Sequence, residues 1–383
     1  MNIENVGKNL KLLREQRSLT QEEVGKYLNV GRDAIVRIEK GTRKITIEEL
    51  NGYSKLFNVD MDMILNNNTV ENNIKGIILA GGTGTRLYPI TEATSKQLLP
   101  VYDKPMIYYP LSVLMQANIK DILIITTKEN QNEFKRLLKD GSDFGINISY
   151  KIQEKPNGLA EAFILGEEFI NNEACAMILG DNIYYGSGLE KELNKAIENA
   201  NKGYASIFGY KVKDPERFGI MQLDSFNNVL SVEEKPLKPK SDYAITGLYF
   251  YPKGVSKLAK TIKPSDRNEL EITTLNDIYL KSNKLKANIL NEGYTWFDTG
   301  TFDSLLDASN MIRTIEKNKD IVICCPEVIA YNNNWITIDK LVERAKLQKN
   351  DSYGEYLIKF IEKEILNEKD RDKIKGLLYP RTK

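Results

Sequence analysis

The residues best suited to bind phosphate form the glycine-rich segment 81–86 (GGTGTR), which directly follows the apolar run 77–79. Such a run is typical of a buried strand, and glycines in the loop after it let the backbone approach a phosphate chain closely. Arg86 adds a fork of hydrogen-bond donors, and Lys96 supplies a second cation in the same stretch. No Lys-Ser or Lys-Thr pair follows Gly84, which excludes a Walker A loop, and the third glycine of a GxGxxG dinucleotide motif is missing. The segment therefore predicts a phosphate site of another kind.

Two aspartates are candidates for holding a metal ion beside that loop. Asp181 follows the strand-like run 174–180, and Asp298 stands in the segment 296–300 (WFDTG), after apolar residues and before a glycine. Two carboxylates and a triphosphate are usual ligands of Mg²⁺. Either aspartate alone is better explained as a turn residue. In combination with the glycine-rich segment, the pair predicts a phosphate and metal centre.

Two other segments place polar side chains after strand-like runs. Residues 233–236 (EEKP) set a cation next to two acids; the alternative is an exposed strand end whose charges pair in solvent. Gln153 precedes the turn residues 156–158 (PNG), and its amide offers a donor and an acceptor to the edge of a base. Taken alone, each segment is open between a binding role and a structural role.

The composition restricts the chemistry that these side chains can perform. The chain has 383 residues, of which 41% are hydrophobic and 28% charged, which is ordinary for a globular protein of two or three domains. It has no histidine, which removes Ser-His and Cys-His nucleophiles, histidine general bases and histidine-bound zinc. The remaining chemistry must use carboxylates, Lys, Arg and a hard metal ion held by oxygen ligands.

Charge and cysteine content bear on where the protein works. The net charge of +1 gives no global field for nucleic acid or a membrane, so any basic patch is local. No apolar run approaches the length of a membrane span, and the first residues lack the pattern of a signal peptide. The three cysteines form no CxxC pair, which favours buried thiols in a reducing compartment. We therefore expect a cytoplasmic protein without a membrane partner.

Alternating apolar and amphipathic runs predict the elements that position these residues. Strands are expected at 75–80, 121–127, 147–152 and 174–180, and helices between them at 106–117, 129–138 and 158–170. This alternation favours an α/β fold with a mostly parallel sheet covered by helices, in which ligands bind at the carboxyl ends of the strands. Further strand patterns follow at 204–212, 219–223, 229–233 and 243–251, and helical patterns dominate from Phe302 onward.

The first 66 residues predict a separate, small all-α unit of five short helices. Thr20 and Glu23 fit a capping box at the start of one helix, and Gly41 closes another. The Asn-rich, non-periodic segment 67–73 predicts a flexible linker after this unit.

Three segments of this unit, 13–17 (LREQR), 20–24 (TQEEV) and 35–41 (IVRIEKG), resemble the phage-repressor-like helix-turn-helix family. In that family the second helix of the motif enters the major groove of DNA. The resemblance implies DNA contacts by Gln21, Arg32, Asp33 and Arg37. The alternative is a solvated, charged face on a helical bundle that serves dimerisation. DNA binding itself would require a dimer.

Six motifs stand in order along the rest of the chain, at 74–89 (IKGIILAGGTGTRLYP), 95–100 (SKQLLP), 180–182 (GDN), 233–236 (EEKP), 246–251 (TGLYFY) and 297–300 (FDTG). Together they resemble the glucose-1-phosphate thymidylyltransferase family, from Ile74 to about Phe360. The resemblance implies a Rossmann-like nucleotidyltransferase domain at 74–365 with a mixed, mostly parallel sheet, followed by a charged tail at 366–383. It also implies the Mg²⁺-dependent reaction of dTTP with α-D-glucose 1-phosphate to give dTDP-glucose and pyrophosphate.

The same resemblance assigns roles to individual residues. Nucleotide contacts fall on Gly81, Gly84, Thr85, Arg86, Lys96, Gln97, Gln153, Gly158 and Asp181, with Gln153 and the backbone of Gly158 at the thymine. The sugar phosphate side comprises Asn182, Gly219, Glu234, Lys235 and Ile245, and Mg²⁺ is held by Asp181 and Asp298. The catalytic cations are Arg86 on the triphosphate, Lys96 on the phosphates and Lys235 at the attacking sugar phosphate.

Two positions depart from the residues usual in that family. Phe218 stands where members often carry Tyr beside the sugar, and Ser187 stands where members often carry His near a feedback-inhibitor site. Two other hypotheses remain beside the thymidylyltransferase: a ligand-sensing transcriptional repressor built on the sugar-nucleotide fold, and a uridylyltransferase that prefers UTP. The family's usual assembly implies a homo-oligomer, a dimer of dimers.

Overall fold

The computed structural model describes residues 3–17, 19–57, 61–66, 73–348, 351–365 and 378. The chain divides into two compact units, Met1–Asn72 and Asn73–Lys383. The predicted linker at 67–73 lies outside the described residues except for Asn73, and so does the predicted tail at 366–383 except for Leu378. In the described part of the chain, no helix combines the length and the hydrophobicity needed to cross a membrane.

The described residues of the first unit form five helices, as predicted. They are α1 (Ile3–Gln16), α2 (Gln21–Tyr27), α3 (Arg32–Glu39), α4 (Ile47–Phe57) and α5 (Met61–Asn66). Their apolar faces meet in one core, where Leu10, Val24 and Ile35 are fully buried. The predicted capping box is present, because the Thr20 hydroxyl accepts from the Glu23 N–H and the Glu23 carboxylate accepts from the Thr20 N–H.

A mixed sheet of nine strands within the described residues is the centre of the second unit. Its strands are β1 (Lys75–Ala80), β4 (Asp121–Thr126), β5 (Asn147–Ile152), β6 (Cys175–Leu179), β8 (Ala205–Lys211), β9 (Gly219–Leu223), β10 (Val229–Glu234), β11 (Tyr243–Tyr251) and β12 (Leu285–Leu290). The spatial order is β10-β9-β11-β6-β1-β4-β5, and β8 pairs with β11 and β12. The run β6-β1-β4-β5 is parallel, as the strand and helix alternation predicts.

Two short ribbons stand beside this sheet. One pairs β2 (Pro100–Val101) with β3 (Lys104–Pro105), and the other pairs β7 (Asn182–Gly186) with β13 (Tyr294–Asp298), both antiparallel. The second ribbon joins two segments far apart in sequence, and it carries the residues around both candidate metal-binding aspartates.

Helices pack on both faces of the main sheet. Between the strands these are α6 (Tyr108–Gln116), α7 (Gln131–Leu138), α8 (Glu161–Leu165), α9 (Glu167–Ile170), α10 (Leu189–Asn201), α11 (Val255–Ala259) and α12 (Ile272–Lys281). The predicted helical end of the chain comprises α13 (Phe302–Lys319), α14 (Pro326–Asn332), α15 (Ile338–Leu347) and α16 (Ser352–Ile365). Successive residues of β1 face opposite cores: Ile78 packs in the core that includes α6 and α10, and Ile77 in the core that includes α8 and α12.

The helix expected at 158–170 is instead two short helices, α8 and α9, which meet at Gly166. A Cβ at Gly166 would lie 3.2 Å from Ile77 Cδ1 and from Leu123 Cδ2. The backbone therefore packs directly against β1 and β4 at this point, and tertiary packing interrupts the helical periodicity.

Candidate functional site

The glycine-rich loop follows the carboxyl end of β1, where a phosphate site was predicted. Gly84 has a positive φ of +64°, and a Cβ there would lie 2.9 Å from Thr91 Cγ2. The Thr91 hydroxyl donates to the Gly84 carbonyl at 2.9 Å and holds the turn. Thr85 and Arg86 follow in a short 3-10 turn with exposed side chains. The loop glycines and the Arg86 guanidinium thus stand together at this edge of the sheet.

Lys96 and Asp181 form an ion pair whose side chains are 12% and 15% exposed, and Lys96 Nζ donates to Asp181 Oδ2. Burial lowers the pKa of Lys96, but the Asp181 charge and the hydrogen bond more than offset this effect, so the pKa is raised. Burial raises the pKa of Asp181, and Lys96 reverses that effect, so the pKa is lowered. At neutral pH the pair is therefore a cation and an anion.

Asp298 is the second acid at this place. Burial, together with the charge of Asp181, raises its pKa to about 6, although Lys96 and Arg86 act in the opposite direction. Within the described residues, Asp298 has no ion-pair partner of its own. The site thus holds two carboxylates against one closely paired cation.

This excess of buried negative charge fits a divalent metal ion, because a dication would offset the cost of ionising Asp298 beside Asp181. Asp181 and Asp298 are the residues that would hold it. Within the described part of the chain, no cluster of three or more acids or cysteines is placed to bind a metal ion by itself. A metal ion here would take its other ligands from phosphate and water.

The ribbon of β7 and β13 brings these two acids together. Asn182, the residue after Asp181, is the register partner of Asp298. Thr299, the residue after Asp298, donates twice to the Asp181 carbonyl, from its N–H at 3.1 Å and from its hydroxyl at 2.7 Å. The spacing of the two acids is therefore determined largely by main-chain contacts.

Asn182, predicted to contact the sugar phosphate, is only 2% exposed. Its Oδ1 accepts from the Gly247 N–H at 3.1 Å and the Trp296 indole N–H at 2.7 Å, and its Nδ2 donates to Asp181 at 3.1 Å. Only the second hydrogen on Asn182 Nδ2 is then available to a ligand. The contact between Asn182 and the sugar phosphate stays a prediction. Phe218 packs its ring edge against Trp296, with ring centres 5.3 Å apart.

Gln153 lies just beyond β5 and is 6% exposed. Its Nε2 donates to Glu161 Oε2 at 2.7 Å. Its Oε1 lies against the glycine-rich loop, 2.4 Å from the position that a Cβ at Gly81 would occupy. The structure thus brings the predicted base-reading amide into direct contact with the predicted phosphate loop.

Gly158 and Gln97 complete the predicted nucleotide side. Gly158 has a φ of +105°, and a Cβ there would lie 2.5 Å from the backbone of Leu270, so only glycine fits. Gln97 is buried, and its Oε1 accepts from the Ser95 hydroxyl at 2.6 Å. A Cβ at Gly180, just after β6, would lie 2.9 Å from Gln97 Cγ. Gln97 therefore packs between the loop and the strand that leads to Asp181.

The predicted sugar-phosphate residues of the edge strands lie close together. Gly219 and Glu234 are register partners in β9 and β10. A Cβ at Gly219 would lie 3.2 Å from Glu234 Oε2 and 3.8 Å from Ile245 Cδ1. Lys235 has a positive φ of +42°, and its Nζ lies 4.0 Å from Glu234 Oε1.

Residues around the start of α12 support Glu234 and were missed by the sequence reasoning. The Thr273 hydroxyl donates to Glu234 Oε2, and Arg267 Nη2 donates to Glu234 Oε1 at 3.2 Å. Arg267 is held in turn by Glu271, at 2.8 and 3.1 Å. No motif in the sequence marks this segment, because its link to Glu234 arises only when the chain folds back on β10.

The helix-turn-helix unit places three of its four predicted DNA contacts on one helix. Arg32, Asp33 and Arg37 are exposed on α3. Gln21, at the start of α2, is half-buried, and its Nε2 donates to Glu39 Oε2 at 2.9 Å. The structure thus keeps Gln21 against a buried acid, apart from the exposed set on α3.

The run of parallel strands in the mixed sheet, with charged side chains clustered at the carboxyl ends of these strands, is typical of a nucleotide-binding α/β enzyme domain. The family model for nucleotidyl transferases matches residues 75–315, and the family model for helix-turn-helix domains matches residues 10–64. The chain is 52% identical over 290 residues to the glucose-1-phosphate thymidylyltransferase of Neisseria meningitidis, and 53% identical over 285 residues to that of Xanthomonas campestris. These matches cover 76% and 74% of this chain, and 100% and 95% of the two relatives.

A solved structure gives the same result. It comes from Bacillus anthracis, is described as a glucose-1-phosphate thymidylyltransferase in complex with sucrose, and is 42% identical with a TM-score of 0.60. The match covers 66% of this chain and 98% of that chain. The chain therefore belongs to the nucleotidyl transferase family, within its glucose-1-phosphate thymidylyltransferase group, and carries a helix-turn-helix domain before the enzyme domain.

Proposed function

We propose that the second unit transfers a thymidylyl group from dTTP to α-D-glucose 1-phosphate, giving dTDP-glucose and pyrophosphate. One observation carries the proposal. The Lys96–Asp181 pair, with Asp298 beside it, lies at the carboxyl ends of the parallel strands β1 and β6, where the glycine-rich loop also lies. The names of the two relatives compared above favour the same substrates.

The chemistry of this transfer suits the side chains that are present. An oxygen of the sugar phosphate is already anionic, so it attacks the α-phosphorus of dTTP without a general base, as a chain without histidine requires. The new P–O bond forms as the bond from the α-phosphorus to the bridging oxygen breaks, and pyrophosphate leaves with that electron pair. Catalysis then depends on alignment and on charge stabilisation.

Three cations would share that charge. Arg86 would bind the leaving phosphates, Lys96 would neutralise the α-phosphate, and Lys235 would hold the attacking sugar phosphate. A bound Mg²⁺ would supply further positive charge to the phosphate oxygens. Asp181 keeps Lys96 protonated and directed, while Glu234 lies beside Lys235 on the sugar side.

The test is pyrophosphate release by the full chain with dTTP, glucose 1-phosphate and Mg²⁺. We expect turnover that Lys235→Met reduces about 10²-fold or more, because a transition-state charge contact is lost. The matched control is Lys238→Met, an exposed lysine of the same segment, which should keep the parent rate. Absence of pyrophosphate release from the folded parent protein would overturn the proposal.

The same assay separates dTTP from UTP. We propose that dTTP is the better substrate. A higher kcat/KM with UTP would make the protein a uridylyltransferase instead.

We further propose that the first unit binds DNA and that the protein assembles as a homo-oligomer, a dimer of dimers that would present paired helix-turn-helix units. The support is the exposed set Arg32, Asp33 and Arg37 on α3 together with the helix-turn-helix family match. Retention of a random-sequence duplex by the full chain should weaken as salt rises, because phosphate contacts release counterions. Arg37→Ala should weaken retention, and Lys55→Ala, which removes an exposed lysine of α4, should not.

The outcomes distinguish the remaining hypotheses. DNA retention without turnover would favour a repressor that only senses its ligand. Turnover without DNA retention would leave the first unit a dimerisation module. Sedimentation analysis of the full chain tests the proposed tetramer.

A further inference from the structure

Glu161, the first residue of α8, accepts hydrogen bonds from two side-chain amides. Gln153 Nε2 donates to its Oε2 at 2.7 Å, and Asn157 Nδ2 donates to its Oε1 at 2.7 Å. Each carboxylate oxygen therefore has an amide N–H₂ group directed at it. None of the motifs in the sequence assigns a role to Glu161.

These contacts determine which way the Gln153 amide points. A carboxylate only accepts hydrogen bonds, so the N–H₂ end of Gln153 must face Glu161. The carbonyl end, Oε1, then faces the loop at Gly81, and no donor within the described residues bonds to it. Gln153 is 6% exposed and has little room to turn over without losing its bond to Glu161. The amide thus offers an acceptor, and not a donor, beside the phosphate loop.

We propose that Glu161 is a positioning residue that sets the nucleobase specificity of the enzyme. By holding the Gln153 amide in one orientation, it presents an acceptor that pairs with the N3–H of thymine or uracil. Cytosine carries a lone pair at N3, so the same acceptor opposes it. This inference rests on the proposed function, in which Gln153 lies at the base.

The inference predicts that the enzyme discriminates between nucleotides by the hydrogen on N3 of the base, and that the C5-methyl group of thymine plays no part in this discrimination. Glu161→Gln keeps the size of the side chain but can either donate or accept, so Gln153 can then offer its N–H₂ group to the base. We expect the ratio of kcat/KM for dTTP to that for dCTP to fall by about tenfold or more, because an unmatched buried polar group no longer opposes cytosine. The ratio of dTTP to dUTP should not change, since both bases carry N3–H. The KM for glucose 1-phosphate should also remain that of the parent.

Two further variants complete the design. Glu167→Gln makes the same acid-to-amide change on the neighbouring helix, where Glu167 pairs with Lys260 at the surface. It should leave both nucleotide ratios and the KM for glucose 1-phosphate unchanged. In the double variant Gln153→Glu with Glu161→Gln, the amide at 161 donates to the carboxylate at 153. That carboxylate again presents only an acceptor, so the preference for dTTP over dCTP should return.

The outcomes separate this inference from the proposed function. If the parent turns over dTTP with a preference over dCTP, and Glu161→Gln remains active with the parent ratio, the positioning role is wrong while the proposed function stands. If Glu161→Gln does not fold, the double variant decides instead. A folded double variant that does not prefer dTTP over dCTP would also show that the positioning role is wrong. A parent that releases no pyrophosphate from any nucleotide contradicts the proposed function itself. If Glu161 had only a structural role at the start of α8, Glu161→Gln would change stability and the overall rate, but not the ratio of kcat/KM for dTTP to that for dCTP.

Discussion

Asn182 and Asp298 face each other as register partners across the ribbon of β7 and β13. As a result Asp181, one residue before Asn182, lies close enough to Asp298 for its charge to help raise the pKa of that acid to about 6, after the larger effect of burial. Lys96 is paired with Asp181 and offsets only part of this repulsion. Without a dication, the folded protein therefore carries an unfavourable electrostatic interaction at its own site.

The first prediction concerns Asp298→Asn. The pKa of Asp298 is higher in the folded state, about 6, than its ordinary value of 3.8, so the metal-free wild type loses stability as pH rises through that window. Asparagine cannot ionise, so the variant should melt at a higher temperature at about pH 7.5 in EDTA, and the gain should shrink towards about pH 4. Turnover should fall about 10²-fold or more because a charged ligand is lost. Asp307→Asn, on the exposed side of α13, is the matched control. A melting temperature below that of wild type at neutral pH would contradict the view that burial and Asp181 make the ionised Asp298 unfavourable.

The second prediction is a pH-dependent requirement for Mg²⁺. Below about pH 6 the Asp298 carboxyl holds a proton that a metal ion must displace, whereas Asp181, whose pKa is lowered, remains ionised. The half-saturating Mg²⁺ concentration should therefore rise as pH falls from about 7.5 to about 5.5. Mg²⁺ titrations of pyrophosphate release at saturating dTTP measure this change. A constant requirement across the range would show that Asp298 does not take up the proton.

The third prediction concerns Arg86 in the glycine-rich loop. Its side chain is exposed, so Arg86→Ala should fold and melt like the parent while pyrophosphate release falls about 10²-fold or more. Arg136→Ala removes an exposed arginine from α7 and controls for the change of net charge. Parent-like turnover in Arg86→Ala would remove this residue from the catalytic set.

The fourth prediction separates the two units by their stability. Arg14 donates to both oxygens of Glu39, at 2.6 and 3.0 Å, and the two side chains are almost fully buried. Glu39→Ala removes the buried carboxylate from Arg14 and leaves the guanidinium only the Leu19 carbonyl and the exposed Glu15, which should destabilise the first unit by about 3–5 kcal/mol. Calorimetry should show one transition shifted down, with DNA retention lost and pyrophosphate release unchanged. The control Glu48→Ala, which removes an exposed acid of α4, should change neither the calorimetric transition of the first unit nor DNA retention.

Elements with a strong apolar pattern were predictable from the sequence. The runs that became β1 and β4 are Ile-rich and lie parallel in the sheet, and Asp181 was found because it follows such a run. The break at Gly166 was not predictable, because it depends on how closely the backbone approaches β1 and β4.

Supporting contacts between loops were also beyond the sequence. Glu161 bonds Gln153 across a turn, and Arg267 bonds Glu234 only after a β-strand and a loop have folded back. No periodicity or short motif encodes such pairs, since each depends on the tertiary path of the chain. From its sequence pattern alone, the charged segment at Glu234 is therefore compatible with a binding role and with a structural role.

The ribbon that pairs Asn182 with Asp298 restricts the size of metal ion that the two acids can hold. Two hydrogen bonds from Thr299 to the Asp181 carbonyl reinforce this restriction. Carboxylates spaced by main-chain contacts cannot spread apart as readily as acids on long, mobile side chains. Mg²⁺ binds oxygen at about 2.0–2.1 Å in a strict octahedron, whereas Ca²⁺ needs about 2.3–2.6 Å and more ligands. A site whose two carboxylates are spaced by the backbone is expected to discriminate between ions by their size. Ca²⁺ should therefore compete with Mg²⁺ for the site without supporting turnover of the enzyme.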